Sequence, residues 1–286
     1  MSPLRVAEWL APEAVAPAAW GGALAAAAAA GFEGVALPGG VDLVALPPAP
    51  LAPGLRPVLA SLSPGLTDGQ AVALALNQIN PLLDALAAAG CETVVVSEPG
   101  VPGRLRVAGR VHEAGARGLR DEEWHNLAGA LDELGGRCRA RGLALAFAPR
   151  AGSWVETPVE LKRLLNSTDA ELVGLSLDTG HVAYGGGNAA AAVETWRWRL
   201  RHVHLQAVDT AVLDTALRHG LGLDEALRRG VFRLPEAHHH PLQAVLEALL
   251  EGDLAGWLTL GPGPAEASRT ALAAVWSWLG RGSRQG

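Results

Sequence analysis

Eight short apolar runs recur along the chain, and helical stretches separate most of them. The runs cover residues 4–9, 34–37, 56–62, 93–97, 143–148, 172–177, 201–206 and 257–260. Helical patterns occupy about 21–30, 68–89, 121–141, 158–165, 189–198, 241–251 and 264–279. This alternation is the signature of a parallel sheet with helices on its outside. Eight such units fit a closed (β/α)8 TIM barrel, an α/β fold. A doubly wound open sheet is the runner-up, although no glycine-rich phosphate turn follows the first run. With 286 residues, the chain is expected to be a single domain, 1–286, around one large core. The second unit is irregular. Residues 41–54 carry Pro47, Pro48, Pro50 and Pro53, so its helix is expected to be missing or reduced to an extended segment.

Composition narrows the partners. The net charge of -6 is spread without a basic stripe, so no nucleic-acid partner is expected. The alanine-rich run 23–30 is too short to span a bilayer and reads as a helix packed on the sheet, so no membrane partner is expected either. The N-terminus lacks a basic segment followed by an apolar core, and Cys91 and Cys138 have no metal-ligand spacing. A reduced, cytoplasmic protein is the resulting expectation. Trp196 and Trp198 could form a homodimer surface or pack on the barrel.

Local signals fix several boundaries. Asp121 before Glu122 and Glu123 is a good helix start. Thr157-Pro158-Val159-Glu160 reads as a capping box with proline in the first turn. The longer connections, 98–120 and 208–240, are expected to lie over the strand ends, where a barrel builds its substrate site. The second contains a helical pattern, 213–229, and then Arg233 and His238-His239-His240.

The chemistry concentrates in two runs. Val173-Gly174-Leu175-Ser176-Leu177 delivers Asp178, followed by Thr179-Gly180-His181. Some twenty residues on, alternation places His202, His204 and Gln206 on one strand face. A carboxylate and an imidazole at successive strand ends could hold a divalent ion on the rim of a barrel. Asp178 could equally cap the following turn through local backbone amides. His181 could orient that carboxylate or donate to substrate. His204 is the better ligand candidate, and His202, deeper in the strand, reads as a hydrogen-bonded core histidine.

Four segments share the order and spacing of one family: Gly152-Ser153-Trp154-Val155-Glu156-Thr157-Pro158, Leu177 to His181, Gly185-Gly186-Gly187-Asn188, and Arg201-His202-Val203-His204-Leu205. The chain resembles the sugar phosphate isomerase/epimerase family, the xylose-isomerase-like TIM barrels. Within it the chain looks most like the inosose dehydratases, which also share Gly230-Val231-Phe232 and Gly256-Trp257-Leu258. The resemblance implies a divalent ion (manganese, cobalt or zinc) at the C-terminal rim. It also implies proton abstraction beside a carbonyl of a sugar or cyclitol, phosphorylated or not. Asp178 and His204 match the family's metal ligands, with Glu156 as a third carboxylate. Glu156, His181 and Glu98 are the candidate catalytic residues. Arg150, Gln206, Arg233 and His202 are the candidate substrate contacts, the arginines suiting phosphate or carboxylate.

The chain departs from the family at four rim positions. Ala148-Pro149-Arg150 replaces a His-x-His, Gln206-Ala207 replaces Lys-Asp, Ala36 stands at a usual glutamate, and Gly261 stands at the usual eighth-strand glutamate ligand. The metal site is therefore expected to be incomplete, and the ion itself could be absent, with Arg150 supplying positive charge in its place. The alternative function is a catalytically inactive relative that binds a sugar or serves regulation. A metal-dependent endonuclease on a related barrel is disfavoured by the acidic balance.

Overall fold

Each of the eight apolar runs forms a strand: β1 (Arg5–Trp9), β2 (Gly34–Leu37), β3 (Pro57–Leu62), β4 (Thr93–Val96), β5 (Ala144–Phe147), β6 (Val173–Asp178), β7 (Leu200–His204) and β8 (Trp257–Leu260). In this computed structural model, which describes residues 4–15, 19–39, 55–237, 239–252 and 256–280, they pair in parallel. The sheet closes on itself when β8 pairs with β1, so the barrel is complete and the open-sheet alternative is excluded. The proline-rich segment 41–54 lies outside the described residues.

The helices are α1 (Trp20–Ala30), α2 (Gly69–Ala88), α3 (Pro102–Leu105), α4 (Asp121–Arg139), α5 (Pro158–Ser167), α6 (Thr179–Tyr184), α7 (Ala189–Trp196), α8 (Thr210–His219), α9 (Leu223–Arg228), α10 (His240–Glu251) and α11 (Ala265–Trp278). Most cover the outside of the barrel, while α3, α8 and α9 belong to the connections and pack in a separate apolar cluster. By length and composition alone, the stretch Ala71–Ala88 of α2 would qualify as a membrane span. In the fold its Leu76, Ile79, Leu83 and Leu86 are buried in the barrel's core.

Three local outcomes differ from the sequence reading. The pattern over 213–229 is two helices, α8 and α9, because Gly220 adopts a left-handed backbone (φ 69°) that ends the first. Helix α6 follows directly on Asp178. At α4, Arg120 and not Asp121 holds the N-cap position, with its N–H accepted by Glu123 at 2.7 Å. The box at Thr157 forms as expected: its hydroxyl accepts the Glu160 N–H, and Glu160 accepts the Thr157 N–H at 2.9 Å.

Register divides the barrel interior. Across β6, β7 and β8, Ser176 stands beside His202, and Asp178, His204 and Thr259 share one level. The remaining strands present Ala7, Ala36, Val58, Leu59 and Val95, all buried. Trp257 closes the N-terminal end, its indole N–H donating to Glu92 at 2.9 Å beneath the Arg5 guanidinium. Within the barrel interior the two histidines and their hydrogen-bond partners thus sit on three adjacent strands, β6, β7 and β8.

Candidate active site

At the C-terminal ends of the strands lies a cavity of about 420 Å³, lined among others by Trp9, Glu98, Arg150, Asp178, His181, His204, Gln206 and Phe232. Asp178 is both the last residue of β6 and the N-cap of α6. Its Oδ1 accepts the N–H groups of Gly180 and His181, each at 3.0 Å. Both of these bonds fall on Oδ1, and Asp178 lines the cavity. Burial pushes this carboxyl up. The charges of His181 and His204, the His181 N–H and Arg150 outweigh that and hold it below its ordinary range.

All three imidazoles are held below their ordinary range, which favours the neutral form. Burial is the largest cause in each case. It lowers His181 to about 4 and His202 to about 3, and it lowers His204 against the opposing pull of Asp178. A neutral imidazole carries one N–H and one lone pair, so the tautomer decides what it offers. For His181 the main chain decides. The Ala151 N–H donates to Nδ1 at 3.1 Å, which puts the proton on Nε2, facing the cavity.

For His204 a buried chain of hydrogen bonds decides. Ser176 Oγ lies 2.8 Å from His202 Nδ1, and Thr259 Oγ1 lies 2.8 Å from both His202 Nε2 and His204 Nδ1. Only one arrangement of hydrogens pairs every group. Ser176 donates to His202 Nδ1, His202 Nε2–H to Thr259, and Thr259 to His204 Nδ1, leaving the His204 proton on Nε2. The reversed chain strands the buried Ser176 hydroxyl hydrogen among the described residues, at a cost of about 1–3 kcal/mol. Trp9 packs edge-on against His204, ring centres 5.1 Å apart, and gives the cavity an apolar wall.

Glu98, just beyond β4, is 2% exposed. Its Oε1 accepts the Leu66 N–H at 2.8 Å, while burial raises the carboxyl to about 7. Beside it in the lining, the hydroxyls of Ser63 and Ser97 meet at 2.9 Å. The Arg150 guanidinium lines the cavity with no hydrogen-bond or ion-pair partner among the described residues, although its charge acts on Asp178, His181 and His204. Gln206 lines the same cavity, and its buried Oε1 has no hydrogen-bond partner among the described residues. Gly180 makes room for that amide, since a Cβ there would lie 2.6 Å from Gln206 Oε1 and 3.0 Å from Phe232 Cδ1.

The fold does not bring every expected residue to the cavity. Glu156 faces away, its carboxylate taken up by the N–H groups of Gly109 at 2.5 Å and Gly152 at 2.7 Å. Arg233 lies on a two-stranded hairpin (Ala207–Val208 with Phe232–Arg233) and pairs with Asp209. His202 is buried below the cavity, both ring nitrogens engaged. His239 caps α10 by accepting the Leu242 N–H at 3.4 Å, and His238 lies outside the described residues. Sequence reasoning missed Thr259, Ser176, Trp9 and Phe232. Alternation along β8 would have turned Thr259 inward beside the histidines.

This donor set does not fit a divalent ion. No three His, Cys, Asp or Glu side chains converge among the described residues. Asp178 has one oxygen already engaged, His204 offers an N–H where a ligand needs a lone pair, and Glu156 is spent elsewhere. Position 261 adds a backbone reason. Gly261 has φ 96°, and a Cβ there would lie 3.1 Å from the Trp9 carbonyl oxygen.

A profile of the xylose isomerase-like TIM barrel family matches residues 24–278. The chain belongs to this family. Among curated relatives, the inosose dehydratase of Clostridium botulinum (strain Alaska E43 / Type E3) is 29% identical over 182 residues, which cover 62% of this chain and 59% of that one. The inosose dehydratase of Geobacillus kaustophilus is 32% identical over 169 residues, covering 59% and 55%. The chain therefore spans less than two thirds of these relatives. Among solved structures, an L-ribulose 3-epimerase superposes with TM-score 0.70 at 15% identity, covering 97% of this chain and 95% of that one. The IOLI protein with a bound zinc atom gives 0.66 at 14% identity, covering 96% and 98%. At such identities the structural likeness shows the xylose isomerase-like barrel and no more.

Proposed function

We propose that this xylose isomerase-like barrel is an enzyme of the isomerase, epimerase or dehydratase type, acting on a sugar or cyclitol by removing the proton beside its carbonyl. The observation that carries the reading is the meeting, in one cavity, of a buried carboxyl raised to about 7 with imidazole N–H donors. Glu98 takes the proton. The electron pair left on carbon moves onto the carbonyl oxygen, whose growing charge is met by the Nε2–H of His181. Asp178 Oδ2 and the Gln206 side chain, whose Oε1 has no partner among the described residues, accept substrate hydroxyls. Returning the proton to the opposite face epimerises the carbon, returning it to the neighbouring carbon isomerises the sugar, and expelling a β-hydroxyl dehydrates it. The names of the curated relatives and of the epimerases with the same fold support this range, and the latter include a D-psicose 3-epimerase studied with D-fructose.

The test is proton exchange. Inososes and ketohexoses incubated with the protein in D2O are followed by NMR for loss of the α-proton signal or for a dehydrated product. Glu98→Gln should slow a positive reaction by about 10²–10⁴-fold. A second reading, a sugar-binding module without turnover, is favoured by the small residues Ala36, Ala148 and Gly261 at rim positions where the family has ligands. Saturable sugar binding with no exchange on any of the panel would establish that reading and overturn catalysis.

A further inference from the structure

We propose that the cavity holds an anionic ligand oxygen, the enolate oxygen of the proposed reaction, where a divalent ion would otherwise sit, using the Nε2–H groups of His181 and His204 and the Arg150 guanidinium. The nature of the ligand rests on the enolising activity proposed above; the donor arrangement does not.

Three independent features converge on it. The first is the count of hydrogens along Ser176, His202, Thr259 and His204, which closes only when His204 shows an N–H to the cavity. A metal ligand at this nitrogen would need His204 Nδ1–H to donate to Thr259, and either way of arranging that leaves one buried hydroxyl hydrogen, of Thr259 or of Ser176, without an acceptor among the described residues. The second is that the Ala151 amide fixes the same tautomer on His181, so both imidazoles that line the cavity are donors. The third is Arg150, whose guanidinium has no partner among the described residues yet acts on Asp178, His181 and His204. A guanidinium beside two N–H donors repels a divalent cation and attracts an oxyanion. The relay also gives the buried His202 and Ser176 a role: they bond each other, and His202, whose ring centre lies 6.2 Å from that of Trp9, bonds Thr259. They are positioning residues that act through Thr259, and the donor they set is the one His204 offers.

The test uses the full-length protein, ¹⁵N-labelled and kept in chelator at neutral pH. Long-range ¹H–¹⁵N correlation spectra, assigned with His181→Gln and His204→Gln variants, read the tautomer of each histidine. Both should carry the proton on Nε2, and Thr259→Val should convert His204 to a mixture while leaving His181 unchanged. Oxalate, a planar dianion resembling an enediolate, should bind equally well with and without chelator. Arg150→Gln should weaken that binding by about tenfold or more. A bare Nε2 on His204, or oxalate binding that depends on stoichiometric zinc or manganese, would overturn the inference. Nε2-protonated histidines and metal-independent oxalate binding in a protein that exchanges no sugar proton would uphold it while overturning the activity. Exchange together with a bare Nε2 would do the reverse.

Discussion

Arg104 donates through Nη2 to both carboxylate oxygens of Glu160, at 2.8 and 3.0 Å, and the two side chains are 3% and 10% exposed. The pair ties α3 to the first turn of α5. Glu160 in turn accepts the Glu156 and Thr157 N–H groups, each at 2.9 Å. Glu156 then grips Gly152, next to the Ala151 amide that sets His181. Replacing Arg104 with Leu leaves a buried carboxylate unpaired and should cost about 3–5 kcal/mol in urea unfolding. Adding Glu160→Gln removes the stranded charge but keeps the acceptor, so the double variant should be more stable than Arg104→Leu alone. A double variant no better than the single one would contradict this account.

Glu98 gives the protein a pH signature. Its folded pKa of about 7 lies above the ordinary 4.5, so the folded chain holds this proton where the unfolded chain has released it. The contribution to stability is complete below pH 4.5 and is lost as pH rises through 7, on the order of 3 kcal/mol. Glu98→Gln keeps an acceptor for the Leu66 N–H but cannot ionise. Melting temperatures between pH 5 and 8 should fall less steeply in the variant than in the wild type, and equal slopes would contradict the buried proton.

Gly180→Ala separates folding from recognition. Position 180 is in the first turn of α6, where alanine suits a helix, so denaturation midpoints should shift by less than about 1 kcal/mol. The new methyl group would displace the Gln206 amide, with its Cγ 3.0 Å away, and press on Phe232. Sugar affinity, or KM once a substrate is found, should worsen by about tenfold. Unchanged affinity would remove Gln206 from the list of substrate contacts.

Asp178 has two duties that different substitutions divide. Asparagine retains an oxygen for the Gly180 and His181 amides, whereas alanine does not. Thermal unfolding should show Asp178→Ala less stable by about 1 kcal/mol and Asp178→Asn close to wild type. If Oδ2 carries charge in the reaction, both variants lose turnover, and an active Asp178→Asn would leave capping as its sole duty.

The barrel was legible because β-strand alternation and helical periodicity are properties of short windows, and all eight strands fall where those windows place them. Asp178, His181, His204, Arg150, Gln206 and Glu98 were also legible as a group, since strand ends and the loops after them gather on one face of a barrel. Glu156 was not. Its motif places it in the right loop, but the direction of its carboxylate depends on the Gly109 and Gly152 amides, and Gly109 is 47 residues distant. Thr259 was legible only in part: alternation along β8 turns it inward, but not to which residue. Its role exists only because β7 and β8 pair in a register that sets it beside His204. The left-handed Gly220 that splits the 213–229 pattern was readable as a helix stop and was passed over.

Gly261 constrains the rim in a way that Ala36 and Ala148 do not. At Ala36 and Ala148 the main chain runs in or directly beyond a strand, and a single base change at a time can alter what stands there. At position 261 the backbone itself is committed to a turn that only glycine enters without strain. A carboxylate introduced there must first be accommodated by refolding the turn under the Trp9 carbonyl. A metal site engineered into this rim should therefore leave position 261 alone and begin at Ala36 and Ala148.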